Sequence, residues 1–266
     1  MQQPKPLDTS DYVRRIILNL MGRDKCGKSH FALTAPDWLL YCNFDKSSKE
    51  DVLQHPDFKG RFIETRDYWP EFIERVPTKG TPEIEANKAE AKRVLDRYRD
   101  DVMDALATQQ VRTIVIDTMT EERDVRLVEK YGKSEQLAFG DNAKYMYAPV
   151  HSDQHDFVKR LYTSDKNVIL VHKQKKQYLN GEWTGGYELA GYYNIPYDVQ
   201  VNVTMDYEIV GQSENGKPRE DFVCTVGRGS LGAGLRLKGV RLIGPLCNFQ
   251  SLAMMVFPGT KVEDWK

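Results

Sequence analysis

Ile16-Ile17-Leu18-Asn19-Leu20-Met21, followed directly by Gly22-Arg23-Asp24-Lys25-Cys26-Gly27-Lys28-Ser29, is the stretch that decides the fold. A short apolar run meets the pattern G-x-x-x-x-G-K-[ST], and a helix-compatible segment opens at His30. Such a loop holds phosphate only where a strand delivers it and a helix leaves it. Backbone N–H groups and the positive end of the helix then converge on the anion. Lys28 is placed to reach the β- and γ-phosphates, and the Ser29 hydroxyl to ligate Mg²⁺. Gly22, Arg23, Asp24, Lys25, Cys26, Gly27, Lys28, Ser29 and His30 are the candidate contacts to ATP. The bland alternative, a chance match in a loop, is disfavoured by the strand before it and the helix after it.

Three further apolar runs follow: 39–44, 113–116 and 167–171. Each is short and bulky and lacks alternation, as strands buried on both faces should. Helical patterns lie between them, so the order is β-α-β and a mainly parallel sheet with flanking helices is expected. Residues 83–108 read as one charged helix. Val94, Leu95, Tyr98, Val102, Ala105 and Leu106 recur at helical steps, and this stripe should pack on the sheet rather than on a coiled-coil partner. Residues 46–82 are polar and broken by Pro56, Pro70, Pro77, Gly80 and Pro82. They form an excursion with one short strand expected at 61–65. Asn180-Gly181 is a strong turn signal, and strands at 199–207 and 221–226 make a C-terminal antiparallel extension. One domain over residues 14–266 with a flexible segment at 1–13 is the expected organisation, the excursion and its helix being inserted at 46–110 and the C-terminal strands occupying 197–266.

Three polar residues end these runs. Asp117 follows 113–116, where a carboxylate beside a phosphate loop can hold Mg²⁺, the Walker B role, against the plainer reading of a strand-end Asp. Asp45 follows the second run and can polarise an attacking water, although Asp45-Lys46-Ser47-Ser48 is also good turn composition. His172 ends the fourth run, where it can sense the γ-phosphate and relay it to the next loop. That loop contains Lys173, Lys175, Lys176, Tyr178, Trp183, Tyr187, Tyr192 and Tyr193. Lysines neutralise phosphates while aromatic rings stack on unpaired bases, so single-stranded nucleic acid is the candidate ligand. A β-hairpin whose aromatics pack locally is the competing reading. His151 and His155 are four apart on an expected helix, but no third ligand follows at metal-site spacing, and an exposed polar face is preferred.

A net charge of −1 excludes a globally basic nucleic-acid binder, so any such contact must be local. Cys26, Cys42, Cys224 and Cys247 are dispersed without a C-x-x-C pair, which argues against a zinc ribbon or a disulfide framework and for a reducing compartment. No stretch approaches the ~18 apolar residues of a membrane span, and a cytoplasmic location is expected.

The ordered set of Gly22 to Ser29, Asp45, Thr113 to Thr118, Val168 to His172 with its loop, and Ala190-Gly191-Tyr192-Tyr193 resembles the RecA-like ATPases. With the Asp-Asn-Ala-Lys-Tyr segment at 141–145, it is similar more narrowly to phage-encoded RecA-like ATPases that promote single-strand annealing. The resemblance implies a RecA-like P-loop NTPase fold in the host cytoplasm. It implies nucleotide at subunit interfaces, homo-oligomers as rings or filaments on single-stranded DNA, and DNA-stimulated ATP hydrolysis in recombination or annealing, often beside a single-strand binding protein. Carried over, Lys28 and Ser29 hold phosphate and Mg²⁺, and Asp117 is the Walker B carboxylate. Asp45 stands where Glu is usual and is one methylene shorter; His172 stands where RecA has Gln. Residues 173–192 and 130–142 correspond to the two DNA-binding loops, with Lys173, Lys175, Lys176, Tyr178 and Trp183 as contacts. Arg228, in Val226-Gly227-Arg228-Gly229, is the candidate finger reaching a neighbour's nucleotide.

Two other readings remain open at this level. A nucleotide or small-molecule kinase would need an Arg-rich lid, for which Arg61, Arg66 and Arg75 are the available residues. A nucleotide-gated DNA-binding module would hydrolyse slowly or not at all. A helicase or packaging motor shares the same core, but no accessory domain marks one.

Overall fold

The computed structural model describes residues 14–45, 52–72, 82–132, 143–191, 194–212, 215–227 and 236–266. The four apolar runs become neighbouring parallel strands: β1 (Ile17–Gly22), β2 (Leu39–Asn43), β4 (Thr113–Asp117) and the first half of β5 (Asn167–Leu179), with β3 (Ile63–Asp67) outside β2. On the other side of β1 lie β7 (Val201–Gln212), β8 (Pro218–Val226) and β9 (Arg241–Ile243), giving the order β3-β2-β4-β5-β1-β7-β8-β9. The β6 strand (Glu182–Leu189) pairs with the outer half of β5. β7 runs parallel to β1, whereas β8 and β9 are antiparallel to their neighbours. This is the mainly parallel sheet with an antiparallel C-terminal extension that the apolar runs and the turn signals predict. β5 stands between β1 and β4, so the phosphate loop and Asp117 face the same carboxyl edge one strand apart.

The lack of alternation in the runs has a direct cause, because successive residues enter two separate cores. On one face Leu18, Leu20, Tyr41, Val115, Ile169 and Val171 pack with Phe31 of α1 (Lys28–Leu33) and Phe249 and Leu252 of α5 (Phe249–Val256). On the other, Ile17, Leu40, Cys42, Ile114, Ile116, Val168 and Leu170 meet Val94, Leu95, Tyr98 and Val102 of α2 (Pro82–Ala107). The α2 stripe therefore packs on the sheet, as its spacing predicts. Each fully buried aliphatic side chain contributes about 1.5–3 kcal/mol.

Asn19 interrupts β1 within this apolar setting. Its Nδ2 donates at 2.8 Å to Oδ1 of Asn202, the residue opposite it on β7, and Asn202 Nδ2 donates at 2.7 Å to the Pro196 carbonyl. A shifted register would leave these amides buried and unpaired, so the pair pins β7 to β1. α3 (Met119–Tyr131) starts at Thr118, whose hydroxyl caps the Glu121 N–H at 3.2 Å. It carries a buried Glu122–Arg126 pair that Gln154 of α4 (Ala143–Leu161) completes, donating at 2.6 Å to Glu122 Oε2.

Two expectations shift. The strand foreseen at 61–65 lies at Ile63–Asp67, because Arg61 turns inward: its Nε pairs with Asp37 Oδ1 at 2.5 Å and its Nη1 donates at 2.6 Å to the Leu33 carbonyl. The segment after Val171, read as a loop with a β-hairpin as the competing reading, is the hairpin. β5 runs on to Leu179 and turns at Asn180 (φ 54) and Gly181 (φ 86), the left-handed pair of a type I′ hairpin, into β6. Cys26, Cys42, Cys224 and Cys247 are buried with free thiols. Among the described residues no helix is long and apolar enough to cross a membrane.

Candidate nucleotide site

The loop between β1 and α1 lines a cleft of about 740 Å³. Asp24, Lys25, Cys26, Gly27, Lys28, Ser29 and His30 form one wall, Asp45, Asp117, Thr118 and Lys173 the far end, and Val52, His55 and Phe222 the mouth. Gly27 adopts φ 83, and a Cβ there would lie 3.0 Å from the Phe222 ring, so conformation and space both require glycine. Gly22 and Arg23 lie outside the cleft lining.

Ser29 Oγ donates to Asp117 Oδ2 at 2.6 Å, and the Tyr41 hydroxyl donates to the same oxygen at 2.6 Å. Burial pushes the Asp117 carboxyl up, and these two hydrogen bonds partly offset it. Lys28 is nearly buried, and its Nζ donates at 2.5 Å to the Arg23 carbonyl across the loop. Ser29 Oγ and Asp117 Oδ2 form an oxygen donor pair of the kind a hard divalent cation takes, and Mg²⁺ fits it.

Three elements bring charge to the far end. Lys173 Nζ lies 3.3 Å from Asp45 Oδ2 and 2.5 Å from Glu121 Oε1. Burial would lower the Lys173 pKa, but Glu121 and Asp45 outweigh it and hold the ammonium above its ordinary value. Lys173, expected on the DNA arm, thus stands in the nucleotide cleft, because it occupies the point where β5 leaves the sheet. His172 does not line the cleft. It is buried beside Met21 of β1, with Nδ1 3.2 Å from the Leu170 carbonyl and Nε2 without a hydrogen-bond partner among the described residues. Burial pushes its pKa down to about 3, so the imidazole is neutral near pH 7.

Beyond the cleft, β5 and β6 project as an arm. Tyr178 and Trp183 face one another in register and are 58% and 51% exposed. Lys176 Nζ lies 5.2 Å from the Trp183 ring centroid, and Lys175 pairs with Glu188 at 3.2 Å. At the arm's root one hydroxyl bridges both strands: Thr120 Oγ1 donates at 2.6 Å to the Ala190 carbonyl and accepts at 3.1 Å from the Lys173 N–H. The Arg23 side chain turns away from the cleft to Asp206 at 2.5 Å, and its guanidinium lies 5.5 Å from the Tyr187 ring and 5.1 Å from Tyr207. One loop residue therefore touches both the β5–β6 and the β7–β8 hairpins.

Arg228, Tyr192, Tyr193 and residues 133–142 lie outside the described residues. Arg61 and Arg66 are engaged away from the cleft, Arg66 with Glu64 and Asp101, and Arg75 lies outside the described residues. His151 and His155 are half-buried rather than exposed; His155 pairs with Asp198 at 2.9 Å and His151 stacks on Tyr147. Glu121, His55 and Phe222 escaped the sequence reading. Glu121 sits one turn beyond Asp117 in a capping position that draws attention only to the helix start, and nothing local distinguishes Phe222 from other strand aromatics.

No curated protein matches the sequence. Among solved structures, a KaiC-like protein from the hyperthermophilic archaeon Pyrococcus horikoshii OT3 aligns at 10% identity over 79% of this chain and 77% of that one, with a TM-score of 0.37. Residues 14–222, which include the phosphate loop, Asp117 and the arm, match the family described as AAA domain, and the chain belongs to that family of P-loop ATPases.

Proposed function

We propose that this P-loop ATPase hydrolyses ATP with Mg²⁺ and acts, as a homo-oligomer, on single-stranded DNA in recombination or strand annealing. The observation that carries the reading is the direct attachment of the arm to the cleft, since Lys173 reaches Asp45 and Glu121 from the strand that bears Tyr178. Lysines and aromatic rings on the arm suit a flexible, unpaired strand.

In this reading Lys28 exchanges the Arg23 carbonyl for terminal phosphate oxygens and compensates their charge in the transition state. Ser29 and Asp117 would hold Mg²⁺, which when bound would neutralise charge on the β- and γ-phosphates. Asp45 orients and deprotonates the attacking water once Lys173 turns from it toward phosphate. His172, neutral and packed beneath the arm's root, offers a hydrogen bond without adding charge. Arg228 is the proposed contribution to a neighbouring subunit's nucleotide, and a single-strand binding protein the proposed companion on DNA.

A second reading has a specific observation in its favour. The Lys173 ammonium stands 3.3 Å from Asp45 Oδ2, the oxygen that would otherwise hold an attacking water, which suits a nucleotide-gated binding module with slow turnover. A kinase is less well supported, because Arg61 and Arg66 serve the framework. The deciding experiment measures ATP turnover and fluorescent single-stranded DNA binding with and without Mg²⁺ for the wild type and Lys28→Ala. DNA-stimulated turnover that the variant loses supports the main reading, and DNA binding with negligible turnover supports the second. Nucleotide binding with no DNA binding under any condition would remove both.

A further inference from the structure

Where the phosphate-loop wall meets the cleft's mouth stands a side-chain cluster to which the proposed hydrolysis assigns no role. His30 comes from α1, and His55 and Asp57 from the start of the 3-10 turn Pro56–Phe58 in the excursion between β2 and β3. One nitrogen from each imidazole and one Asp57 carboxylate oxygen lie within 4.8 Å of one another. His30 Nε2 is 3.3 Å and His55 Nδ1 3.5 Å from the same oxygen, Asp57 Oδ2. Zinc bonds of about 2.0–2.2 Å at tetrahedral angles place neighbouring ligand atoms roughly 3.3–3.5 Å apart, so two edges of such a site already have the required length.

We propose that His30, His55 and Asp57 form a three-ligand Zn²⁺ site, with water in the fourth position. Two imidazoles and a carboxylate suit a borderline cation, whereas Mg²⁺ prefers an all-oxygen octahedral shell. The third edge closes by rotation of the two rings, which meet edge to face with centroids 4.9 Å apart. His55 Nδ1 accepts a long 3.4 Å hydrogen bond from the Asp57 N–H, a contact weak enough to yield to a metal bond. Buried Phe58 packs 5.0 Å from the His30 ring and closes one side, while Asp57 leaves the other open to solvent. Bound zinc ties the excursion to the phosphate-loop helix. Both imidazoles line the cleft, so it also fixes the shape of the cleft wall opposite Asp117.

The site is tested on untagged full-length protein stripped of metal by chelation. It is titrated without nucleotide with Co²⁺ in the presence of excess Mg²⁺, which occupies oxygen-only sites. The expected result is a visible tetrahedral Co²⁺ spectrum saturating at one equivalent per chain and lost on addition of Zn²⁺. His55→Ala and Asp57→Asn should each weaken binding at least about tenfold with unchanged thermal melting, as loss of a ligand should. Absence of the spectrum in the wild type, or equal affinity in both variants, overturns the proposal. Should either variant fail to fold, histidine acylation of the wild type read by mass spectrometry replaces it. Zinc should protect His30 and His55, and undiminished labelling at both overturns the site.

Discussion

The two halves of β5 have opposite characters within one unbroken strand. Asn167 to His172 are buried, and Val168 to Val171 pair in parallel with both β1 and β4, whereas Gln174 to Leu179 are progressively exposed and pair only with β6; Lys173, opposite Gly22 of β1, is the junction. Composition follows the surroundings: Val168-Ile169-Leu170-Val171 fill two cores, while Lys175-Lys176-Gln177-Tyr178 face solvent. The difference teaches that strand is a backbone state and burial a separate property. The inner half gives stability, and the outer half gives reach beyond the sheet edge.

The largest effect belongs to the inner half, where Leu170→Ala should lower unfolding free energy by about 2–5 kcal/mol in urea denaturation through lost transfer energy and a cavity. A loss below about 1 kcal/mol would mean that the inner half is not core. On β6, opposite Tyr178 of the outer half, Trp183→Ala should leave stability within about 0.5 kcal/mol. The same change should weaken single-stranded DNA binding by about 1–3 kcal/mol in a fluorescence titration. Unchanged affinity would leave the arm without its proposed ligand.

His172, at the junction, supplies a pH test. Its folded pKa of about 3 lies below the ordinary 6.5, so the unfolded chain takes up the proton first and stability falls as pH drops between these values. Relative to His172→Gln, the wild type should lose at most about 1.4 kcal/mol per pH unit across that window, measured by denaturation at a series of pH values. Parallel curves for the two proteins would contradict a buried neutral imidazole. The smallest effect belongs to Lys175→Ala, whose exposed pair with Glu188 contributes about 0–1 kcal/mol to stability. If Lys175 contacts phosphate, the log–log salt slope of DNA binding should shrink by about 0.7, and an unaltered slope would place it off the DNA path.

Much of the inner half was legible from the chain. Four apolar runs, the glycine-lysine-serine loop and Asp117 are local signals, and the structure arranges them at one sheet edge. The outer half was harder, because Lys173 to Tyr178 lacks the bulk of a buried strand and only Asn180-Gly181 marked the turn. The Asp45–Lys173–Glu121 group was not legible as a unit, since its members come from three elements that only the sheet order brings together. The displacement of β3 by two residues likewise depends on Arg61 finding Asp37, a tertiary contact that no local pattern announces.

Thr120 has a mechanical meaning beyond its two hydrogen bonds. Because one oxygen gives to Ala190 and takes from Lys173, both strands of the arm share a fulcrum in the first turn of α3, just past Asp117. The seven residues from Lys173 to Leu179 make a lever about 20 Å long. A tilt at that fulcrum is therefore magnified at the tip, and only a side chain able to donate and accept at once can serve as the bearing. Serine retains both bonds; valine, of nearly the same shape, releases both strands together.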